Sequence, residues 1–585
     1  MQSNPVEARH AWGALRMDPA VNPAVLDTGT WDPTAAAAEF RRVSNAALDG
    51  VARAVVEGRP LPAVPELALH PGSLRVADEV GFVLAGLPDS QQVLLEVGSA
   101  GSSPSLGEPL ARVTLDDARV VHAHATSAAN LRAYLRDIAP DRGPRALGST
   151  PRIGFGVRMT TAAFPAIFRA MESRGFSANA IQNSVRELNL LEDLLEGRPA
   201  AKTYYTGFGM IESGHTGSSI EGLWVAGVLE ALKHPTLFPY GADADHLHVK
   251  RGPDGLARAR RYVDSYRGST FYSLDMSDIL DYQALNEASD SASAERAVAA
   301  VGDEASLRSV LGYHRQAAQS NGGSRLSEGV LHRMIAKYWG AFEAMTSTND
   351  YVRAKHDGVP YDLEFTIDEH PPEIAAFDCL TAEEECTFVL GEVARRELPV
   401  THLAPNVGIE KGFDYRGSDG LEGLEHRLTS IVRIADRHGV VIDIHSADDL
   451  SAPSRAAIRR ATKGRLHYKI SPLPQILFAE VLEQVHPDFF AAWWGDAVEY
   501  AREEAAAGSP FAAACLAALA TKQSSTPSFR DQVFHHYCFR FVGRRDEEGQ
   551  YIARQQFYSL SSGFYEVYQD RLTAMLERLA DELLL

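Results

Sequence analysis

The chain has 585 residues, of which 45% are hydrophobic and 23% are charged, a composition typical of a globular protein and not of a disordered one. Its formal net charge of −20 at pH 7 argues against a nucleic-acid partner, because phosphate recognition needs a basic face. No run of about eighteen apolar residues occurs, so no membrane partner or transmembrane helix is expected.

The N-terminal stretch "MQSNPVEARHAWGALRMDPA" lacks the charged-then-apolar profile of a signal peptide. The cysteines form no CxxC motif, so the sequence predicts neither a disulfide framework nor a zinc knuckle. A cytoplasmic location is therefore the expectation. The four cysteines are Cys379, Cys386, Cys515 and Cys538.

Residues 1–148 are rich in Pro and Ala and predict a small accessory α/β domain. The stretch "LPDSQQVLLEVGSAGSSPSLGEP" predicts strand, loop and strand, and "SAANLRAYLRDIAP" predicts an amphipathic helix that a proline ends. No chemistry is expected in this part, and the connector "PDRGPRALGSTPR" leads out of it.

From residue 152 onward, short apolar runs alternate with helical stretches. Alternating strands and helices favour parallel pairing, and eight such units close a (β/α)₈ TIM-type barrel, with an open doubly wound sheet as the alternative. We expect a catalytic barrel over 149–475, a helical insertion at about 283–355 and a C-terminal helical extension over 476–585. The runs are "RIGFGVR", "ANAIQNSVRE", "TLFPYGADADH", "TFYSLDMSD", "DLEFTIDEH", "VTHLAPNVG", "GVVIDIHSADD" and "RLHYKIS".

The ends of these runs carry carboxylates, imidazoles and other polar groups. In a TIM barrel the carboxyl ends of the strands form the active site. Mixed nitrogen and oxygen ligands suit Zn, Mn, Ni or Fe, so we expect a divalent metal ion as cofactor. The polar residues are Arg158, Gln182, Ser184, Glu187, Asp243, Asp245, His246, Asp275, Asp278, Asp368, Glu369, Asn406, His445, Asp448, His467 and Lys469.

Each of these residues also has a purely structural interpretation. His467 could be a satisfied core histidine, Asp368 a helix N-cap, and Glu187 a carboxylate in the first turn of a helix. The joint placement of Glu369, His445 and His467 at strand ends favours a metal site over three separate coincidences.

Six motifs in order also carry a family resemblance: "AIQNSVRE", "GADADHLHVK", "FTIDEHPP", "IEKGFDYRG", "IHSADD" and "LHYK". Together they resemble the tagaturonate epimerase family of bacterial hexuronate catabolism, from about residue 150 to 480 and weakly to the end. The resemblance implies a metal-dependent sugar epimerase that interconverts D-tagaturonate and D-fructuronate, with a sugar or sugar acid as its small-molecule partner.

The resemblance also implies roles for individual residues. The family's histidines fall on His445 and His467 and its carboxylate on Glu369, which we take as the metal ligands. Glu187, Asp245 and Lys469 are then the catalytic candidates, with Asp245 also a candidate fourth ligand. The remaining strand-end residues are assigned to substrate binding: Arg158, Gln182, Ser184, His246, Asp275, Asn406 and Asp448.

Three departures from the family pattern leave the substrate open. The chain reads "HSADDL" where members usually read "HSGSDK", "ISP" follows Lys469 in place of "TAG", and "LAPNV" places Asn406 at an arginine position. Because two basic groups that could hold a uronate carboxylate are missing, a neutral ketose or a differently substituted sugar is the alternative substrate.

Two reaction mechanisms and two other classes of function stay open. Metal-assisted retro-aldol cleavage would invert a carbon β to the ketone, whereas proton transfer at an α carbon is the mechanism of other barrel ketose epimerases. A non-catalytic sugar-binding barrel is a third interpretation, and a metal-dependent endonuclease is disfavoured by the acidic charge. A homo-oligomer is compatible with all of them.

Overall fold

A computed structural model describes residues 10–585 apart from 102, 159–160, 206–208, 250–252, 287–288, 321–325, 357, 371–373 and 523–525. Three parts follow one another along the chain, namely an antiparallel sheet with helices, a closed parallel barrel and a group of C-terminal helices. Among these described residues, no helix is both long and apolar enough to cross a membrane.

The N-terminal part is built on a mostly antiparallel six-stranded sheet with the strand order β3-β5-β6-β8-β7, in which β4 also pairs with β5. Helices α1 and α2 cover one face of this sheet, and their apolar residues share its core. The elements are β1 (His10–Trp12), β2 (Leu15–Met17), α1 (Pro33–Arg42), α2 (Asn45–Val56), β3 (Ala68–Leu69), β4 (Arg75–Ala77), β5 (Val80–Gly86), β6 (Gln92–Ser99), β7 (Ala111–Thr114), β8 (Arg119–Ala125) and α3 (Ala128–Asp137).

The next ten strands include the eight of the barrel, so the predicted (β/α)₈ fold is confirmed. All eight pair in parallel, and β9 closes the barrel because it pairs with both β10 and β18. Strands β11 and β12 form a separate hairpin. The strands are β9 (Arg152–Gly156), β10 (Ser177–Ser184), β11 (Lys202–Tyr205), β12 (Gly209–Glu212), β13 (Tyr240–His248), β14 (Phe271–Asp275), β15 (Asp362–Ile367), β16 (Val400–Pro405), β17 (Val441–Ile444) and β18 (Leu466–Ile470).

Helices follow the strands and cover the outside of the barrel. Three of them, α8 to α10, lie between β14 and β15, where the sequence predicts a helical insertion. The helices are α4 (Phe164–Arg174), α5 (Leu191–Leu195), α6 (Ile220–Lys233), α7 (Pro253–Ser265), α8 (Asp290–Val301), α9 (Glu304–Ser320), α10 (Glu328–Lys355), α11 (Glu383–Arg395), α12 (Gly420–Arg437) and α13 (Ala452–Thr462).

The C-terminal helices pack on the barrel and extend its core. Helix α19 contacts α4, α13 and α14, and its leucines join the same apolar cluster as the barrel strands. The indole N–H of Trp493 donates to the carbonyl of Cys538 at 2.6 Å, which fixes this fully buried ring among the helices. The helices are α14 (Pro472–Val485), α15 (Pro487–Ala506), α16 (Pro510–Ala520), α17 (Gln532–Tyr537), α18 (Arg540–Gly543) and α19 (Ser562–Leu583).

The amino-terminal end of the barrel is closed by a buried ion pair. Arg152 at the start of β9 donates to Asp362 at the start of β15, with Nη1 2.9 Å from Oδ2. The same carboxylate accepts the backbone N–H groups of Leu147 and Gly148, so the connector from the N-terminal part is attached to the floor of the barrel. The open end is therefore the one formed by the carboxyl ends of the strands.

Candidate active site

The barrel interior is filled with polar side chains instead of the branched apolar residues that usually occupy it. Because side chains alternate along a strand, every second residue points inward and the inward residues stack in layers. On β18 these are His467 and Lys469, and on β17 they are Asp443 and, just beyond the strand, His445. Gly154 on β9 leaves room for them, since a Cβ there would lie 2.8 Å from His467 Nε2.

The lower layer contains a cluster of three buried groups, His402, Asp443 and His467. The Nδ1 of His467 lies 2.8 Å from Asp443 Oδ2, and His402 Nε2 lies 3.9 Å from Asp443 Oδ1. Burial lowers the pKa of both histidines and raises that of Asp443. The cluster thus consists of neutral imidazoles around a carboxyl group in the fully buried interior.

Above it, Lys469 joins three carboxylates, two on β13 and one on β15. Its Nζ lies 2.9 Å from Asp245 Oδ1, 2.7 Å from Glu364 Oε2 and 3.3 Å from Asp243 Oδ2, and it donates to Ser273 Oγ at 2.6 Å. Burial acts against the charge of Lys469, but these carboxylates hold its pKa well above the ordinary value. Burial raises the pKa of Asp243 to about 7 despite Lys469. The remaining two carboxylates are the charged partners of the lysine.

At the mouth of the barrel, His246, Asp368 and His445 offer ligand atoms that all lie within 4.8 Å of one another. His445 Nδ1 is 3.2 Å from Asp368 Oδ2, its Nε2 is 3.1 Å from Glu364 Oε1, and the rings of His445 and His246 have centroids 5.0 Å apart. Both nitrogens of His445, Nδ1 of His246 and Oδ1 of Asp368 are buried without a hydrogen-bond partner. We call these three residues the mouth cluster.

Two residues at this mouth have a backbone conformation that L-residues rarely adopt. His246 has φ 53° and Ser446, directly after His445, has φ 54°. The register of β13 against β14 also shifts between Ala244 and Leu247, next to His246. Non-glycine residues in the left-handed region cost free energy and concentrate at functional sites. The backbone is therefore held in an unfavourable conformation at one residue of the mouth cluster and directly after another.

Without a metal, the neighbouring carboxylates favour the charged forms of the mouth histidines. Burial acts against it, but the charge of Asp245 raises the pKa of His246 to about 10, and Asp368 and Glu364 raise that of His445 to about 9. A bound cation would replace these protons, because the ligand form of histidine is the neutral imidazole.

Glu369 lies beside the mouth cluster but is held by an arginine. Arg186 donates to both of its oxygens, at 2.9 and 2.8 Å, and His246 Nε2 lies 3.3 Å from Glu369 Oε1. Although burial opposes it, the Arg186 charge holds the pKa of Glu369 well below its ordinary value. The three predicted metal ligands are thus separated. His445 belongs to the mouth cluster and His467 to the lower cluster, whereas Glu369 lies next to His246.

Glu187 and Arg158 form an ion pair at the edge of a small cavity. Arg158 Nη2 lies 2.6 Å from Glu187 Oε1, and its Nε donates to Ser471 Oγ at 2.7 Å, while Glu187 Oε2 is buried without a hydrogen-bond partner. Lys411 lines the same cavity, and burial lowers its pKa. Two cationic side chains therefore line this cavity beside Glu187.

The other predicted binding residues lie around the mouth in different environments. Gln182 has a buried, unpaired Oε1, and Ser184 accepts from Arg186 Nε at 3.2 Å. Asp275 accepts from the backbone and hydroxyl of Ser277, and burial raises its pKa to about 6. These groups face the interior of the barrel, at the level of its carboxyl end.

Two of the residues predicted to bind substrate use their side chains in hydrogen bonds with nearby backbone groups. Asn406 donates to the carbonyls of Ala376 and Cys379 and accepts from the backbone of Gly408. Asp448 accepts the backbone N–H groups of Ser471 and Leu473 at the start of α14, as an N-terminal cap does. Both stabilise loops at the mouth.

Several residues of the site were not predicted from the sequence. Glu364, His402 and Asp443 lie within strands, where period-two alternation alone marks them as inward-facing polar residues. Arg186 lies inside the "SVRE" motif and Lys411 inside "EKGFDYRG", and neither has a spacing signal of its own.

The donor set of the mouth cluster fits a divalent transition metal. Two imidazoles and one carboxylate are the ligands that Zn, Mn, Ni and Fe accept in catalytic sites with an open position. Such an ion would pair one buried atom of each of His445, His246 and Asp368, since buried polar groups otherwise find partners. The lower cluster offers the same kinds of ligand but lies beneath Lys469 and away from the mouth.

Comparisons with known proteins bear on the fold and the family of the chain. No curated protein matches the chain. The native crystal structure of the fructuronate-tagaturonate epimerase UxaE from Cohnella laeviribosi superposes with a TM-score of 0.64 at 21% identity, covering 89% of this chain and 97% of that one. Its complex with one glycerol gives 0.62 at 20% identity, covering 88% and 96%. These two similarities show the shared fold.

The family is established by sequence. The family model of tagaturonate epimerase, UxaE, matches residues 228–583, which include six of the eight barrel strands and the C-terminal helices. The match confirms the family resemblance, includes five of the six motifs and spans more than half of the chain. The chain therefore belongs to the tagaturonate epimerase family and is an isomerase.

Proposed function

We propose that this chain is a metal-dependent epimerase that interconverts keto-hexuronates of the D-tagaturonate and D-fructuronate type. The observation that carries the proposal is the mouth cluster, in which three buried ligand groups converge at the open end of the barrel, above the Lys469 carboxylate network. A site that only bound sugar would need hydrogen-bond donors and aromatic rings more than converging imidazoles and carboxylates.

His246, Asp368 and His445 would hold the metal ion. A divalent ion there supplies Lewis-acid polarisation of the substrate ketone. Arg186 keeps Glu369 ionised beside His246, so Glu369 orients that imidazole from the outer side, as carboxylates commonly do for ligand histidines. This assignment keeps His445 from the sequence prediction and replaces Glu369 and His467 with Asp368 and His246.

The proposed reaction is a retro-aldol cleavage followed by recombination. Asp245 takes the proton from the hydroxyl on the carbon β to the ketone, and the bond between the α and β carbons breaks. Its electron pair passes to the ketone oxygen as an enolate, while the β carbon becomes an aldehyde. Rotation of the aldehyde exposes its other face, and re-addition with return of the proton gives the epimer. Lys469 contributes positive charge near the developing enolate.

Asp245 is an ionised carboxylate beside the mouth cluster, which is the first requirement for accepting the proton. Burial opposes its charge, but His246 and Lys469 hold its pKa well below the ordinary value, so it is ionised at neutral pH. Its Oδ1 lies 3.0 Å from His246 Nδ1, next to the ligand cluster. Glu187, whose second oxygen is buried and without a hydrogen-bond partner, is the alternative base on the Arg158 side.

The mechanism is tested by turnover in deuterated water. Metal-loaded enzyme is incubated with D-tagaturonate or D-fructuronate, and the products are analysed by NMR. We expect the epimer to carry no deuterium at the inverted carbon, because the C–H bond of that carbon stays intact during cleavage and recombination. Deuterium at that carbon would instead favour proton transfer, and Glu187→Gln would then identify the base. Binding of sugar without any epimer would reject the enzymatic proposal.

Arg158 and Lys411 provide the positive charge for a substrate carboxylate. Both side chains line the cavity next to Glu187, and Lys411 belongs to the "IEKGFDYRG" motif. They stand in for the basic groups that the sequence lacks around Asn406 and Asp448. A uronate is thus favoured over a neutral ketose, since a carboxylate in a buried site needs a cationic partner.

Replacing Lys411 with methionine should therefore discriminate between charged and neutral substrates. For the uronate we expect kcat/KM to fall about tenfold to a hundredfold, which corresponds to losing one charge-assisted hydrogen bond of roughly 1.5–3 kcal/mol. Activity toward neutral D-tagatose or D-fructose, if measurable, should change little. Lys233→Met on the outer helix α6 removes the same charge away from the site and should leave both substrates unaffected. An equal loss for both substrates would contradict this role.

A further inference from the structure

A second group of potential metal ligands lies in the N-terminal sheet, outside the barrel. Glu96 on β6 and His122 and His124 on β8 offer ligand atoms that lie within 4.8 Å of one another. The register explains the convergence, because Glu96 is directly paired with His122, and His124 follows two residues later on the same face of β8. We call these residues the sheet cluster.

The sheet cluster is buried and its polar atoms are incompletely paired. His124 is fully buried, Glu96 is 1% exposed and His122 is 3% exposed. Glu96 Oε2 lies 3.1 Å from His124 Nε2, yet both nitrogens of His124 and Nδ1 of His122 have no hydrogen-bond partner. Buried polar atoms without partners are uncommon, because each costs about 1–3 kcal/mol. Their convergence on one point needs an explanation.

We propose that the sheet cluster binds a structural zinc ion, independent of the ion at the barrel mouth. Two imidazole nitrogens and one carboxylate oxygen match the nitrogen and oxygen ligation of Zn²⁺, with a buried water as the fourth ligand. The alternative, a histidine–glutamate hydrogen bond, uses one nitrogen of His124 and leaves His122 without a role. A zinc ion engages all three side chains through one atom of each.

The surroundings of the sheet cluster favour a structural role. Ser105 donates to Glu96 from its backbone N–H, at 2.9 and 3.0 Å to the two oxygens, and from its hydroxyl at 3.1 Å. Arg112 on β7 lies opposite His122 on β8, but its guanidinium donates to the carbonyl of Ala100. These contacts hold the carboxylate in place as an outer shell does for a metal ligand.

The zinc ion would connect the two central strands of the sheet through their side chains. Glu96 lies on β6, and the two histidines lie on β8, so the ion joins adjacent strands on the face opposite α1 and α2. Through Glu96 and Ser105 it also fixes the connection between β6 and β7. The N-terminal part, to which the sequence assigns no chemistry, would thereby depend on metal for part of its stability.

The proposal is tested on the full chain by elemental analysis of wild type and Glu96→Gln after loading with zinc and removal of excess. We expect the variant to contain about one zinc ion per chain less than wild type, since the neutral amide has almost the same shape but is a poor ligand. His445→Ala should lose a different ion, so that the double variant loses both. His70→Gln, a partly buried histidine of the same part outside the cluster, should keep the wild-type content.

A measurement on unaltered protein completes the test. Anomalous diffraction at the zinc edge from zinc-loaded crystals should show a peak between Glu96, His122 and His124. Zinc should also raise the melting temperature of wild type more than that of Glu96→Gln. A zinc-loaded crystal without a peak in the sheet cluster, or an unchanged zinc content in Glu96→Gln, would overturn the proposal. Neither result depends on whether the barrel epimerises a sugar.

Discussion

Replacing His445 with alanine should remove the divalent metal from the barrel and lower kcat for epimerisation by at least about a hundredfold. Loss of an outer-shell partner of a metal ligand typically costs 10–100-fold, and loss of the ligand itself should cost more. His445 is the side chain that links the mouth cluster to Glu364, because its two nitrogens lie 3.2 Å from Asp368 and 3.1 Å from Glu364. Elemental analysis and turnover measurements on the same preparation check both effects.

The comparison with His467→Ala identifies which cluster holds the metal. His467 lies in the lower cluster with its Nδ1 directed at Asp443, 2.8 Å away. If the ion is bound at the mouth, His467→Ala should retain it, while His246→Ala and His445→Ala lose it. The reverse pattern, in which His467→Ala loses the metal and His246→Ala keeps it, would move the site to the lower cluster and restore the ligand suggested by the resemblance.

A surface control separates ligand loss from a general effect of removing a histidine. His426 is an exposed residue on α12, away from the strand ends. His426→Ala should keep the wild-type metal content, melting temperature and kcat. Circular dichroism of His445→Ala should remain that of the wild type, because the mutation removes one side chain near the open end and leaves the strand hydrogen bonds in place.

The sequence alone predicts the barrel because its two main signals are local. Each strand is a short apolar run, and each is followed by polar residues where the carboxyl end of the strand reaches the mouth. That pattern identifies all eight barrel strands and places His246, Asp245 and His445 at the open end. The six motifs give the family, which the match over residues 228–583 confirms.

The grouping of residues within the site could not be predicted in this way. Whether His467 meets His445 or His402 depends on the layer that each side chain occupies, and layers depend on the register between strands. His246 and Ser446 have a left-handed backbone conformation. This conformation could not be predicted from the sequence, because it is usually adopted by glycine and neither residue is a glycine. Arg186 and Glu364 have no spacing signal in the sequence, and their partners Glu369 and Lys469 are more than a hundred residues away along the chain.

Lys469 offsets part of the free-energy cost of burying carboxyl groups inside the barrel. Four inward-facing carboxyl groups, those of Asp243, Asp245, Glu364 and Asp443, lie in or beside two adjacent layers, and burial disfavours the charge of every one of them. One lysine with contacts to three of them offsets much of this cost. Lys469 therefore stabilises the negative charge of the carboxylates that lie below the mouth cluster.

Replacing Lys469 with methionine should destabilise the protein by about 3–5 kcal/mol at neutral pH, because breaking a buried ion pair leaves uncompensated charge. The methionine fills a similar volume, so the loss reflects the missing charge and hydrogen bonds more than a cavity. Epimerase activity should be lost as well, since Asp245 and the developing enolate lose their neighbouring cation. Denaturant unfolding with a common slope for wild type and variant gives the free-energy difference.

The pH dependence of this destabilisation follows from the direction of the pKa shifts. In wild type, burial raises the pKa values of Asp245 and Glu364, but His246 and Lys469 for the first and Lys469 and His445 for the second hold them below their ordinary range. Their stabilisation is therefore present above about pH 4–5 and is lost as the pH falls. The carboxylates hold the pKa of Lys469 above its ordinary range, and that stabilisation persists up to alkaline pH. The wild-type network is therefore fully formed between these limits.

In Lys469→Met the two carboxylates lose a neighbouring cation. Only His246 and His445 then oppose the effect of burial, so the pKa values of both carboxyl groups rise relative to wild type, and the cost of their charge is relieved as the pH falls. The deficit relative to wild type should thus be largest near pH 8 and should narrow toward pH 5. Unfolding measured at both pH values checks this, and an equal deficit at the two would assign the loss to packing instead of charge.

Lys337→Met is the matched control for this experiment. Lys337 is also buried, but its Nζ contacts the single carboxylate of Glu385, at 2.5 Å, and lies over the ring of Tyr282. Glu385 keeps the hydroxyl of Tyr338 and the backbone N–H of Ala382 as donors after the change. Its destabilisation should therefore depend less on pH than that of Lys469→Met, and its epimerase activity should persist wherever the protein is folded, because only Lys469 adjoins the reacting groups.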